Sequence, residues 1–164
     1  MSRAAAVALL SLLLAGGALA LTAGPFTADG LRAALGDARF HNEAGYALGQ
    51  QGDWGGAQRA FARALEIDPS YASARRNLAI ASFQLGAYED AAREYRTLLS
   101  ADPGNREYRF DLAQSLVMYA RFLETDGNAA VAQLEEALDL LDSVEGYPHA
   151  RENAAIIRDA LAGA

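Results

Sequence analysis

Residues 38–71 and 72–105 form two blocks of 34 residues that align without a gap, and this period constrains the fold more than anything else in the chain. Gly52 falls on Gly86, Trp54 on Tyr88, Ala57 on Ala91, Phe61 on Tyr95, Leu65 on Leu99, and Asp68-Pro69 on Asp102-Pro103. A period of this length marks stacked helical hairpins, each one unit that cannot bury its apolar face alone. The matched positions have physical reasons. Gly52 and Gly86 end one helix and permit the positive φ of a tight turn. Ala57 and Ala91 are small enough for two helices to approach closely, while Phe61 and Tyr95 are expected to fill the space between neighbouring hairpins. Pro69 and Pro103 stop the second helix before the next begins.

A third, altered copy spans residues 106–146. Leu112 and Ala113 keep the register of Leu78 and Ala79, but Ala120 replaces the turn glycine. The apolar pattern of Leu116, Tyr119, Ala120 and Leu123 then continues to Glu124, and the turn is expected late, at Asp126-Gly127-Asn128. Ala130, Leu134, Ala137 and Leu138 restore the earlier spacing five residues out of step. The third hairpin should therefore have a first helix longer by about one turn. Residues 147–164 form a final helix, with Pro148 suited to its first turn and Ala150, Ala154, Ile157 and Leu161 on one stripe. That helix would cap the exposed end of the stack. Alanine supplies 38 of the 164 residues, which favours helix over sheet.

The turn pattern Gly52-Asp53-Trp54-Gly55-Gly56-Ala57 and its counterpart Gly86-Ala87-Tyr88-Glu89-Asp90-Ala91, the aromatic four residues on, and the closing Asp-Pro resemble the tetratricopeptide repeat family. The resemblance runs from Ala38 to about Leu161. It implies an all-α stack of three hairpins (residues 38–71, 72–105 and 106–146) with a C-terminal capping helix. It also implies a concave groove, lined by the first helix of each hairpin, that binds a peptide or partner helix. Carried over by position, the groove would receive Arg39, Asn42, Glu43, Tyr46 and Gln50 from the first hairpin. The second would add Arg76, Asn77, Ile80, Phe83 and Gln84, and the third Phe110, Asp111, Gln114, Val117 and Met118. Many such repeats hold asparagine at the place of Asn77, where an amide can pair with an extended backbone in both directions. Arg76 could meet a carboxylate. The bland alternative is that the aromatics pack hairpins and the polar groups are merely solvated. Repeats that clamp a carboxylate-terminated tail use Lys, Arg and Asn; here the corresponding places hold Asn42, Tyr46, Asn77, Glu107 and Asp111, so only Asn77 fits.

The remaining features narrow function by exclusion. Against 21 acidic residues stand 14 arginines and no lysine, a net charge of −7 that argues against nucleic-acid binding. There is no cysteine, hence no thiolate metal site or cysteine nucleophile. His41 and His149 lie far apart with no carboxylate pattern around them. Gly16-Gly17 and Gly52–Gly56 lack the lysine and strand of a phosphate loop. No enzyme activity, metal or cofactor and no small-molecule substrate is expected. Seven acidic residues (Glu124, Asp126, Glu135, Glu136, Asp139, Asp142, Glu145) lie between Arg121 and Arg151 with no base among them. They suit a solvated outer face better than a dock for a basic partner.

Residues 4–28 carry no charge and are long enough to cross a bilayer, following a lone Arg3. They are expected to form a transmembrane signal-anchor (residues 1–28), joined by a short linker helix (residues 29–37) to the repeats. Cleavage near Ala20, after Ala18-Leu19-Ala20, is the alternative. Arg3 on the cytoplasmic side places the acidic body outside the cytoplasm either way. The expectation is thus a membrane-tethered scaffold that binds another protein and supports an envelope complex. A chain that self-associates into a homo-oligomeric layer or filament is the runner-up.

Overall fold

The computed structural model describes residues 36–123 and 127–162. The expected anchor and residues 29–35 of the linker helix lie outside the described residues, as do Glu124 and Asp126. Within them run seven helices and no strand: α1 (Ala38–Gln50), α2 (Trp54–Ile67), α3 (Ala72–Gln84), α4 (Tyr88–Ala101), α5 (Arg106–Phe122), α6 (Gly127–Asp142) and α7 (Ala150–Ala162). None of these is long and apolar enough to cross a membrane. The chain divides between Leu85 and Gly86 into two compact units, which are taken in turn.

In the first unit, α1 and α2 form a hairpin, and α3 packs on α2 while meeting α1 along a shorter line. The turn after α1 closes on Gly52 at φ 81°, and Gly86 repeats it at 77°. Asp53 caps α2, its Oδ1 accepting from the Gly56 N–H at 2.8 Å. Leu48, Ala57, Ala60, Phe61 and Ala81 form one buried cluster, edged by Trp54 and Leu78. Phe61 takes its expected place, in a cluster that reaches Leu78 and Ala81 of the next hairpin. Its ring lies against Gly45 inside its own hairpin, where a Cβ on Gly45 would sit 2.6 Å from a ring carbon. The ring needs a helix surface with no side chain at that point. After α2, Asp68 is extended ahead of Pro69. The Arg75 guanidinium then donates to the Pro69 carbonyl at 2.8 Å. Thirty-four residues on, Arg109 makes the same bond to the Pro103 carbonyl, so the repeat extends to this side-chain clamp on the turn.

In the second unit, α5 packs against α4 and α6, and α7 packs on α6. Leu112, Ala113, Leu116, Ala137, Leu141 and Val144 are buried there. Helix α5 has 17 residues where α1 and α3 have 13, the expected extra turn. That turn brings Phe122 against Tyr88, with ring centroids 5.7 Å apart. Arg96 on α4 holds Glu136 on α6 through two bonds of 3.0 and 2.6 Å. The late turn differs from expectation, because Gly127 and Asn128 already belong to α6. Likewise Ala130 and Leu134 are only half-buried, while Ala137 is fully buried.

Pro148 does not open the last helix. Helix α7 starts at Ala150, and His149 stands between them at φ 62°, a left-handed conformation that breaks helical continuity. Ala150, Ala154 and Ile157 are nevertheless buried in the expected stripe, with Leu161 half-buried.

The extra turn of α5 also gives a spectroscopic marker. Burial, and then the Glu89 carboxylate that accepts its hydrogen bond, raise the pKa of the Tyr119 phenol above the usual tyrosine value of 10.0. A raised folded-state pKa favours the protonated form, so this contribution is present below the unfolded pKa and is lost as pH rises past the folded one. In an absorbance titration one phenol should therefore ionise after its neighbours. Tyr119→Phe should abolish that late component and Glu89→Gln should bring it earlier; an unchanged titration in both variants would refute the contact.

Candidate functional site: the α1 and α3 face

Helical spacing places Asn42 and Tyr46 one turn apart on α1, and Asn77, Ile80 and Gln84 along one face of α3. In the first unit a polar contact joins these two faces. Asn77 Nδ2 donates to Asn42 Oδ1 at 2.9 Å, and both side chains are half-buried. The residues are 35 apart, one more than the period, so the pair joins staggered places and not equivalent ones. This bond uses one hydrogen of Asn77 and one lone pair of Asn42. Asn77 Oδ1 and the Asn42 NH2 group have no further partner among the described residues. Together they present one acceptor and one donor group, the complement of a peptide bond. Exchanging N and O in both amides preserves that inventory.

Beyond the amide pair the face becomes apolar. Tyr46 is 60% exposed, and Ile80 and Phe83 are half-buried. Glu43 and Arg76 are half-buried, with the Arg76 Nε itself shielded from solvent; Gln50 and Gln84 are exposed. Arg39 is held elsewhere. Asp37 accepts from its backbone N–H at 2.8 Å and from its guanidinium at 3.3 Å, and that bond raises the guanidinium pKa further. Arg39 is thereby part of the α1 cap.

Helix α5 of the second unit carries the remaining candidates. Gln114 is exposed, and Asp111, Val117 and Met118 are half-buried. Phe110 is a correction to the groove set: it is buried, and its ring packs at a tilt against Tyr147 with a centroid distance of 4.9 Å. It packs the turn after α6 onto α5, and no ligand can reach its face without displacing Tyr147. Nothing in the repeat pattern marks this, because Tyr147 lies outside the 34-residue blocks.

The acidic stretch is partly neutralised within the second unit. Glu136 is paired with Arg96, Asp142 with Arg158, and Glu145 with Arg151. Glu135 and Asp139 remain exposed on α6. Among the described residues no group of three or more His, Asp or Glu side chains is arranged to hold a metal ion.

Comparison with known proteins agrees with this architecture. A family model described as tetratricopeptide repeat matches residues 49–116. The chain is 34% identical over 122 residues to a peroxisomal targeting signal receptor of Kluyveromyces lactis, a match covering 72% of this chain and 21% of the receptor. It thus spans about a fifth of the length of that relative. Among solved structures, a tetratricopeptide repeat protein of Thermus thermophilus superposes with a TM-score of 0.63 at 23% identity, covering 76% of this chain and 66% of that one. MamA AMB-1 gives a TM-score of 0.62 at 19% identity, covering 98% of this chain and 76% of that one. Residues 49–116 carry tetratricopeptide repeats, and the helical fold beyond them agrees with that of these two solved structures.

Proposed function

We propose that this chain is a partner-binding module that receives an extended segment of another protein on the α1 and α3 face. The observation that carries the reading is the Asn42–Asn77 pair, which leaves a donor and an acceptor beside the apolar surface of Tyr46, Ile80 and Phe83. A peptide backbone pairs with the amides, and a side chain of the segment covers the apolar part. The repeat family and the curated relative, named as a targeting signal receptor, support partner binding in general terms.

Residues 4–28 tether the module to a membrane and hold the acidic helices outside the cytoplasm, where the module helps to assemble an envelope complex. It acts by recognition and without catalysis. The test is capture from a detergent extract with the full chain as bait. Asn77→Ala combined with Phe83→Ala should release a partner that the parent chain retains, with helicity unchanged. Losing the polar bond made by Asn77, its hold on Asn42 and one aromatic contact should weaken binding by at least ~30-fold. A partner held equally by the double variant would place recognition on another face.

A further inference from the structure

The α6–α7 junction combines three features that the groove does not use. First, α7 packs on α6 with Ala150, Ala154 and Ile157 buried, and a cleft of about 400 Å³ remains beside them, lined by Leu141, Asp142, Glu145, Ala150, Arg151, Ala154 and Arg158. Secondly, the walls of that cleft carry opposite charge. Arg158 reaches both Asp142 oxygens at 2.6 and 2.8 Å, and Arg151 reaches Glu145. All four side chains are more than half exposed, so each pair holds the helix weakly and opens readily in salt. Thirdly, the connection is fixed at one end and strained at the other. Arg106 donates to the carbonyls of Val144 and Glu145 at 3.3 and 2.9 Å, and the Tyr147 ring packs against Phe110. Past that anchorage, Pro148 cannot donate to a helix, and His149 is the non-glycine residue with positive φ among the described residues.

We propose that α7 is an exchangeable arm: two copies of this chain trade their α7 helices, each docking on the α6 of the other. The second copy is the occupant that the surface specifies, because its α7 brings the same alanine stripe and the same two arginines to Asp142 and Glu145. A strained hinge favours exchange, since straightening it lets His149 leave the left-handed region. The anchored residues 144–147 stay with their own α5, so only the segment from Pro148 onward need move.

Charge reversal tests this with the full chain. Variant one carries Asp142→Arg and Glu145→Arg; variant two carries Arg151→Glu and Arg158→Glu. Alone, each repels its own arm and that of an identical copy, and light scattering should give monomers. Mixed in equal amounts, they restore all four pairs only between unlike copies, and the mass should double. A mixture that stays monomeric, with both variants helical by circular dichroism, overturns the proposal. If either variant fails to fold, His149→Gly decides it in the parent background. Glycine removes the strain that exchange relieves, so the parent dimer should weaken about tenfold. A parent chain that is monomeric at high concentration, or a dimer equally tight with glycine at the hinge, also overturns it.

Discussion

Replacing Phe61 with alanine is expected to remove ~3–5 kcal/mol of folding stability, a large share of what a small domain possesses. The ring is 3% exposed and lies in the cluster of Leu48, Ala57, Ala60 and Ala81, with the bare backbone of Gly45 on its other side. Gly45, Ala57, Ala60 and Ala81 supply much of its wall and cannot extend into the space. The same geometry makes a reciprocal forecast. Gly45→Ala puts a methyl within 2.6 Å of the ring and should cost ~1–3 kcal/mol in the parent chain. In a Phe61→Leu background the ring is gone, and the same alanine should be nearly neutral. A denaturant double-mutant cycle reads this coupling directly; additive effects would mean that the ring does not rest on Gly45.

The second unit has its own critical position. Leu116 is fully buried on α5, whereas Phe122, six residues further along, is 71% exposed. Leu116→Ala should cost ~2–5 kcal/mol. Phe122→Ala should stay within ~1 kcal/mol, since its contact is with the edge of one partner, Tyr88. Chemical denaturation of the two variants checks both; equal losses would contradict the placement of the extra turn.

Much of this architecture is legible in the residues because the repeat states the same local rule twice. Gly52 and Gly86, Ala57 and Ala91, and the two prolines each answer to a backbone or close-contact requirement that does not depend on distant partners. The positions that resisted prediction depend on residues outside the period. Phe110 stands at a groove-lining place in its repeat, yet Tyr147 covers it. Pro148 looks like a helix start, but the left-handed His149 separates it from α7. Phe61 follows the pattern, while the glycine that receives it becomes Ala79 in the next block, so one copy gives no warning of the other. Within the candidate site, composition and register indicate Asn42 and Asn77 separately. Their mutual hydrogen bond depends on how α1 and α3 are offset, which only the packed unit reveals.

Site-specific photo-crosslinking in the native cell reads the recognition face most directly. A photoreactive residue would replace Tyr46, Asn77 or Phe83 on the α1 and α3 face, with Arg63 and Glu66 on the exposed surface of α2 as controls. The expected result is one shared partner band from the three face positions and none from the controls. A partner that crosslinks through Arg63 or Glu66 while Tyr46, Asn77 and Phe83 stay silent would contradict the assignment of recognition to this face.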